Sequence, residues 1–150
     1  MRSICLWSAA AGFAASAALH LLSFTSWLSF APWAAPAGER AVWALGAVVF
    51  VLAAAMVARL RRRAAIGRRW RRVAVHDWRV LVRAVPPGLQ LLVMGAALYA
   101  WMNFVLCLML EPGPQPQSAI TLRMASGHLI FFFLVPLVFF RWVDTPKPFR

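Results

Sequence analysis

Residues 59–83 read RLRRRAAIGRRWRRVAVHDWRVLVR, and this stretch decides how the rest of the chain is arranged. It holds ten of the sixteen basic residues of a 150-residue protein, and long apolar runs lie on both sides of it. Arginine clusters collect in the cytoplasmic loops of membrane proteins because moving them across the bilayer is unfavourable. The stretch therefore predicts a cytoplasmic loop between two pairs of membrane-spanning helices.

The composition indicates a membrane protein. Hydrophobic residues make up 63% of the chain, whereas a soluble domain is about 45–50% apolar. Runs of about 20 apolar residues are typical of membrane-spanning helices; three runs reach that length here and a fourth is slightly shorter. We therefore predict an all-α fold, a single integral membrane domain over residues 1–150 that forms a four-transmembrane-helix bundle. The predicted spans are residues 4–31, 41–58, 87–110 and 120–142.

The first predicted span has an alternative interpretation as a secretory signal peptide. It follows a basic residue and is followed by AAPA, which resembles a cleavage site with small residues. However, the apolar stretch is about twice as long as the usual core of a signal peptide. We therefore expect an uncleaved span.

The net charge of +12 would suggest nucleic-acid binding in a soluble chain. Here the basic residues are explained by membrane topology, and we recognise no nucleic-acid-binding module in the sequence. With the arginine-rich loop inside, fourteen basic residues lie on the inner side and two, Arg40 and Arg123, on the outer side. This bias predicts that both termini are cytoplasmic.

The arginine-rich loop has the pattern of an interfacial helix. At about 100° per residue, Ile66, Trp70 and Val73 fall on one side of a helix, and Arg68 and Arg72 fall on the other. Such a helix lies in the headgroup layer, where arginines attract anionic lipid; the alternative is a solvated charged loop. The residues expected to contact lipid headgroups are Arg61, Arg62, Arg63, Arg68, Arg69, Arg71 and Arg72.

Polar and small residues recur every four positions inside two of the spans. Because polar groups are costly in hydrocarbon and small residues allow close helix approach, such residues should face the interior of the bundle. The stripe on the first span is Ser8, Gly12, Ser16 and His20. The stripe on the third span is Gly95, Tyr99, Asn103 and Cys107.

The fourth span has one polar interruption, Ser126-Gly127-His128. At 1.5 Å per residue, its histidine and the polar residues His20 and Asn103 lie about 4–7 Å outward of their span midpoints. We therefore predict a hydrogen-bonded cluster that fixes helix packing. Its predicted members are His20, Tyr99, Asn103 and His128.

An alternative interpretation of the two intramembrane histidines is a cofactor site. His20 and His128 could be the axial ligands of a b-type haem, since helix bundles build such sites from facing side chains. Arg40 and Arg123, on the outer side, could pair with the propionates. No carboxylate lies at that depth and no third imidazole is available, so no metal site is predicted.

From about residue 78 onward the chain resembles an uncharacterised family of small four-span bacterial membrane proteins. The resemblance rests on three segments, VLVRAVPPGLQ (80–90), ALYAWMNFVL (97–106) and RMASGHLIFFF (123–133). The family tends to have an aromatic residue directly after the Ser-Gly-His segment, where this chain has Leu129. The resemblance implies a location in the bacterial inner membrane and does not specify an activity.

The sequence contains no Walker loop, HExxH or GxSxG motif, and only four acidic residues. We therefore expect a non-enzymatic small membrane protein without a cofactor, acting as an accessory or interaction subunit of a bacterial inner-membrane complex. Its expected partners are the lipid bilayer, anionic lipids and other membrane subunits, and no nucleic acid. The alternative function is electron transfer through the haem site of His20 and His128.

Overall fold

The computed structural model describes residues 1–25, 34–66, 85–109 and 117–143. These residues form four helices: α1 (Arg2–Leu22), α2 (Ala34–Ile66), α3 (Pro87–Met109) and α4 (Gln117–Val138). A short π-helical segment, Phe139–Val143, continues α4. Each of the four helices is long and apolar enough to cross a membrane. The predicted all-α, four-helix fold is confirmed.

The α1 helix ends at Leu22, earlier than the predicted end of the first span at residue 31. Its last backbone bonds tighten to i→i+3 pairs, from Phe24 N to Leu21 O and from Thr25 N to Leu22 O. The Ser23 and Thr25 hydroxyls also donate to carbonyls one turn back. These hydroxyls satisfy carbonyls that a helix end leaves open, which explains the early end in an apolar run.

The α2 helix is longer than the predicted span 41–58, because it extends into the arginine-rich stretch. Arg61 and Arg62 are exposed and lie on its last turns. Residues 67–84, where most of the predicted interfacial helix falls, lie outside the described residues. The next helix begins at Pro87, as predicted from the sequence, since proline fits the first turn of a helix without loss of a hydrogen bond.

The α4 helix is the centre of the bundle. It packs against each of the three other helices, and its contact with α1 is the most extensive among the described elements. Half of the most apolar stretch of α4 is buried, compared with 22% in α1, 17% in α3 and 6% in α2. The other helices are therefore arranged around α4, and α2 and α3 leave most of their surfaces outward.

Close contact between α1 and α4 depends on one glycine. A Cβ atom built on Gly12 would overlap the ring of Phe133, which is fully buried in the core between these helices. Ser16, one turn further, is also fully buried, and its hydroxyl donates to the Gly12 carbonyl. The predicted small-residue stripe on the first span therefore does face the interior at these positions, and α4 covers it.

Arg2 holds the start of α1 against the end of α4. Its Nε donates to the carbonyl oxygen of Phe140 at 2.8 Å, in the π-helical segment. Pro136 lies inside α4 just before that segment. Since proline has no N–H to donate, it removes one bond of the helical ladder, and the ladder changes to π geometry within the next turn.

We predict that Gly12→Ala destabilises the protein by about 1–3 kcal/mol, the usual cost of an added methyl group in a packed core. Thermal unfolding in detergent measures this effect. Gly46→Ala is the matched control, because nothing lies within 4 Å of a Cβ built there. It should leave stability unchanged or raise it, since alanine favours helix over glycine by about 1 kcal/mol. Equal effects of the two substitutions would contradict the proposed α1–α4 contact.

Candidate functional site

Polar side chains meet where α1 ends and α4 begins. They come from α1 and its terminal turn, from α3 and from the first turns of α4, and we call them the polar cluster. Its members are His20, Ser23, Tyr99, Asn103, Arg123 and Ser126. Tyr99 and Arg123 are partly exposed, and the other four are buried.

The imidazole of His20 is the centre of the polar cluster. Its Nδ1 lies 3.0 Å from Ser126 Oγ, and that hydroxyl lies 2.6 Å from the carbonyl oxygen of Leu122. A carbonyl only accepts, so Ser126 donates its one hydrogen to Leu122, and His20 Nδ1 must supply the hydrogen shared with Ser126. In the neutral ring, His20 Nε2 is then an acceptor and receives the hydroxyl hydrogen of Tyr99. One neutral imidazole thus ties α1 to both α3 and α4.

Asn103 makes a second tie between α3 and α4. Its Nδ2 donates to the carbonyl oxygen of Arg123 at 3.1 Å. A Cβ atom on Gly127 would lie 2.5 Å from that Nδ2 and 3.3 Å from His20 Cε1. The absence of a side chain at Gly127 therefore gives room to both polar groups. Cys107, one turn along α3, is buried and lies 3.9 Å from Asn103 Oδ1 through its sulfur.

Arg123 closes the end of α1. Its Nη2 donates to the carbonyl oxygen of Ser23 at 2.9 Å, and its guanidinium lies over the ring of Phe24 at 4.0 Å. The same phenyl ring contacts the His20 imidazole edge to face at 5.1 Å. A cation at the carbonyl end of a helix is favoured by the helix dipole. Arg123 therefore holds the last turn of α1 over the polar cluster.

His128, a predicted member of the cluster, lies elsewhere. Its Nδ1 donates to the carbonyl oxygen of Met124 on its own helix at 2.9 Å. Its ring packs edge to face on Phe104 at 5.4 Å and lies near Phe132. The reason is helical geometry, since residues two apart are rotated by about 200° and cannot share a face. Because Ser126 faces His20, His128 faces outward between α3 and the open side of α4.

The predicted stripe on the third span is inward only in its second half. Asn103 and Cys107 are buried, whereas Tyr99 is 44% exposed and Gly95 has nothing within 4 Å of a built Cβ. A spacing of four residues drifts by about 40° per step, so a row that begins at the interior leaves it after two or three steps. Tyr99 lies at the edge of the interior, where its hydroxyl still reaches His20.

A haem between His20 and His128 requires a ring nitrogen of each histidine to ligate the iron. Both ring nitrogens of His20 are engaged within the polar cluster, and Arg40 Nε donates to the Pro36 carbonyl. Arg123 is held by Ser23 and Phe24. In this arrangement the residues do not fit a haem between the two histidines, because His20 would have to give up Tyr99 or Ser126 to ligate iron. Within the described ranges, no three histidine, cysteine or acidic side chains are grouped as metal ligands.

Sequence reasoning missed the roles of Arg123, Ser23 and Ser126. The sequence predicts Arg123 only on the outer side, as a partner of haem propionates in the alternative interpretation, and Ser126 only as part of a polar interruption. A signal was available, because Arg123 and Ser126 are three residues apart in an apolar span and therefore lie on neighbouring positions of one face.

The comparisons with known proteins supply no relative. No family model matches this chain, and neither a curated protein nor a solved structure is detectably similar to it.

We predict that Tyr99→Phe destabilises the protein by about 0.6–2 kcal/mol, the range measured for hydrogen bonds between membrane helices. The substitution keeps the ring and removes only the donor to His20 Nε2. In a His20→Leu background the same change should cost almost nothing, because the hydroxyl has lost its acceptor. Unfolding of the four proteins in detergent completes this cycle. Equal costs in both backgrounds would show that Tyr99 and His20 are not coupled.

Proposed function

We propose that this chain is a multi-pass protein of the bacterial inner membrane with both termini in the cytoplasm. In this proposal it acts as a non-enzymatic accessory or interaction subunit of a membrane complex. One observation carries the functional part. The polar groups inside the bundle bind one another, with His20 held by Ser126 and Tyr99 at its two nitrogens. These residues join helices rather than presenting a reactive group to a substrate.

Charge supports the orientation. The order of the helices brings three arginines to one end of the bundle. They are Arg2 at the start of α1, Arg59 near the end of α2 and Arg141 in the π-helical segment that continues α4. The densest arginine run of the sequence begins in the last turns of α2, at that same end. The positive-inside rule favours the cytoplasmic side for this end.

Anionic lipid is the proposed contact of that end. Arg61 and Arg62 are exposed on the last turns of α2, where arginines reach the headgroup layer of the inner leaflet. Arg63 has no described side chain. The remaining predicted headgroup contacts, Arg68, Arg69, Arg71 and Arg72, lie outside the described residues.

Partner subunits would dock on α2 or α3. The small-residue face of α1 is covered by α4 at Gly12 and Ser16, so that face is already used within the chain. Among the described residues, nothing lies within 4 Å of a Cβ built on Gly46 of α2 or on Gly88 and Gly95 of α3. Gly88 is in the first turn of its helix, so Gly46 and Gly95 are the open glycines within the spans. Glycine on an outward helix face allows the backbone of another helix to approach closely.

We predict that Gly95→Leu removes the partner subunit without harming the fold. Leucine favours helix over glycine by about 1 kcal/mol, so detergent melting should stay the same or rise. The measurement is the amount of one identified protein cross-linked to the tagged chain in native membranes. Met94→Leu is the matched control, since Met94 is 67% exposed on the same helix and already has a long side chain.

A chain isolated from mild detergent without any stoichiometric partner, before and after cross-linking, would contradict an accessory role. Cross-linking that is equal in the Gly95→Leu and Met94→Leu proteins would move the docking face away from α3.

A further inference from the structure

His128 presents a hydrogen-bond acceptor on the outer surface of the bundle. Its Nδ1 donates to the Met124 carbonyl, so in the neutral ring the other nitrogen, Nε2, carries a lone pair. The side chain is half-buried, and within the described residues Nε2 has no hydrogen-bond partner. Phe104 and Phe132 lie beside the ring.

Trp101 carries a hydrogen-bond donor on the neighbouring helix. The side chain is 63% exposed on α3, and an indole N–H can only donate. Among the described parts of the chain nothing accepts a hydrogen bond from it. Trp101 is three residues before Phe104, so it lies about 60° from Phe104 around the helix. Since Phe104 contacts His128, the indole and the imidazole belong to one outward face.

The two groups also lie at one level of the membrane. Trp101 is three residues beyond the middle of the span Pro87–Met109, and His128 is two to three residues before the middle of the span Ser118–Val143. Consecutive membrane spans run in opposite directions, so these two helices are antiparallel. The Cα atoms of both residues therefore lie about 4 Å from the middle of their spans, toward the same end of the bundle.

A donor and an acceptor at this depth need partners, because acyl chains offer none. Leaving such groups unpaired in hydrocarbon costs free energy. We propose that the face formed by Trp101, Phe104, His128 and Phe132 binds the same face of a second copy of this chain. The twofold axis lies along the membrane normal, and Trp101 Nε1–H of each copy donates to His128 Nε2 of the other.

Self-association fits this face better than another partner does. The arginine bias of this chain favours one orientation for every copy. A twofold axis along the membrane normal then keeps each residue at its own depth. In a twofold interface residue i contacts residue j and j contacts i. A single symmetric contact therefore forms two hydrogen bonds, and each copy contributes one donor and one acceptor. This inference does not depend on the accessory role.

Energy transfer between two differently labelled copies in phospholipid vesicles tests the dimer. The full chain should associate, and Trp101→Phe and His128→Phe should each weaken association by about tenfold, because each removes both reciprocal bonds. The protein with both substitutions should associate as tightly as either single variant, since no further hydrogen bond is lost.

The decisive measurement mixes the two variants. A Trp101→Phe copy still has His128 and a His128→Phe copy still has Trp101, so the mixed pair keeps one of the two bonds. It should associate about threefold more tightly than either variant does with itself. A mixed pair as weak as the two self-pairs would overturn the proposed contact, even if the chain forms some other dimer.

Two controls separate this result from a loss of folding or of another interaction. Trp7→Phe, at an equally outward tryptophan that is 73% exposed on α1, should leave association unchanged. Detergent melting of the variants should match that of the parent, because both replacements keep an aromatic ring at the surface. A monomeric chain that still cross-links to a different subunit would overturn the dimer and leave the accessory role standing.

Discussion

The structure depends on the requirement that polar groups inside a membrane be paired with one another. His20 would be a costly residue in the first apolar helix if its ring were unsatisfied. It is instead held by a serine of α4 and a tyrosine of α3. This arrangement needs a close approach of the helices, which Gly127 permits. Helix packing and hydrogen bonding at this end of the bundle therefore require each other.

The α1 and α4 helices are also held at both ends by arginines. Arg123, near the start of α4, donates to the carbonyl at the end of α1, and Arg2, at the start of α1, donates to a carbonyl at the end of α4. Both cations lie at carbonyl ends, where the helix dipole favours them. Between these ends the contact is apolar and includes Phe133 against Gly12. The pair is fixed in register, and α2 and α3 pack on its central helix.

Much of the fold could be predicted from the sequence because apolar length and proline position are local signals. The start of α3 at Pro87 and the inward direction of Gly12, Ser16 and His20 followed from such signals. The end of α1 did not, since its last carbonyls are satisfied partly by the Ser23 and Thr25 hydroxyls and partly by Arg123 from a distant part of the chain. The direction of His128 was mistaken because Ser126 and His128 were treated as one polar group, although residues two apart on a helix point in nearly opposite directions. Which polar group pairs with which depends on helix register, which composition does not encode.

The packing of α1 against α3 and α4 requires a neutral His20 that donates through Nδ1 and accepts from Tyr99 through Nε2. Nitrogen NMR of histidine-labelled protein in lipid bilayers reports the state of both nitrogens, with the His20 signals assigned by their loss in His20→Gln. We expect a protonated, pyrrole-type Nδ1 and an unprotonated, pyridine-type Nε2 whose resonance moves in Tyr99→Phe. A protonated Nε2, or an Nε2 resonance that the loss of the Tyr99 hydroxyl leaves in place, would contradict it.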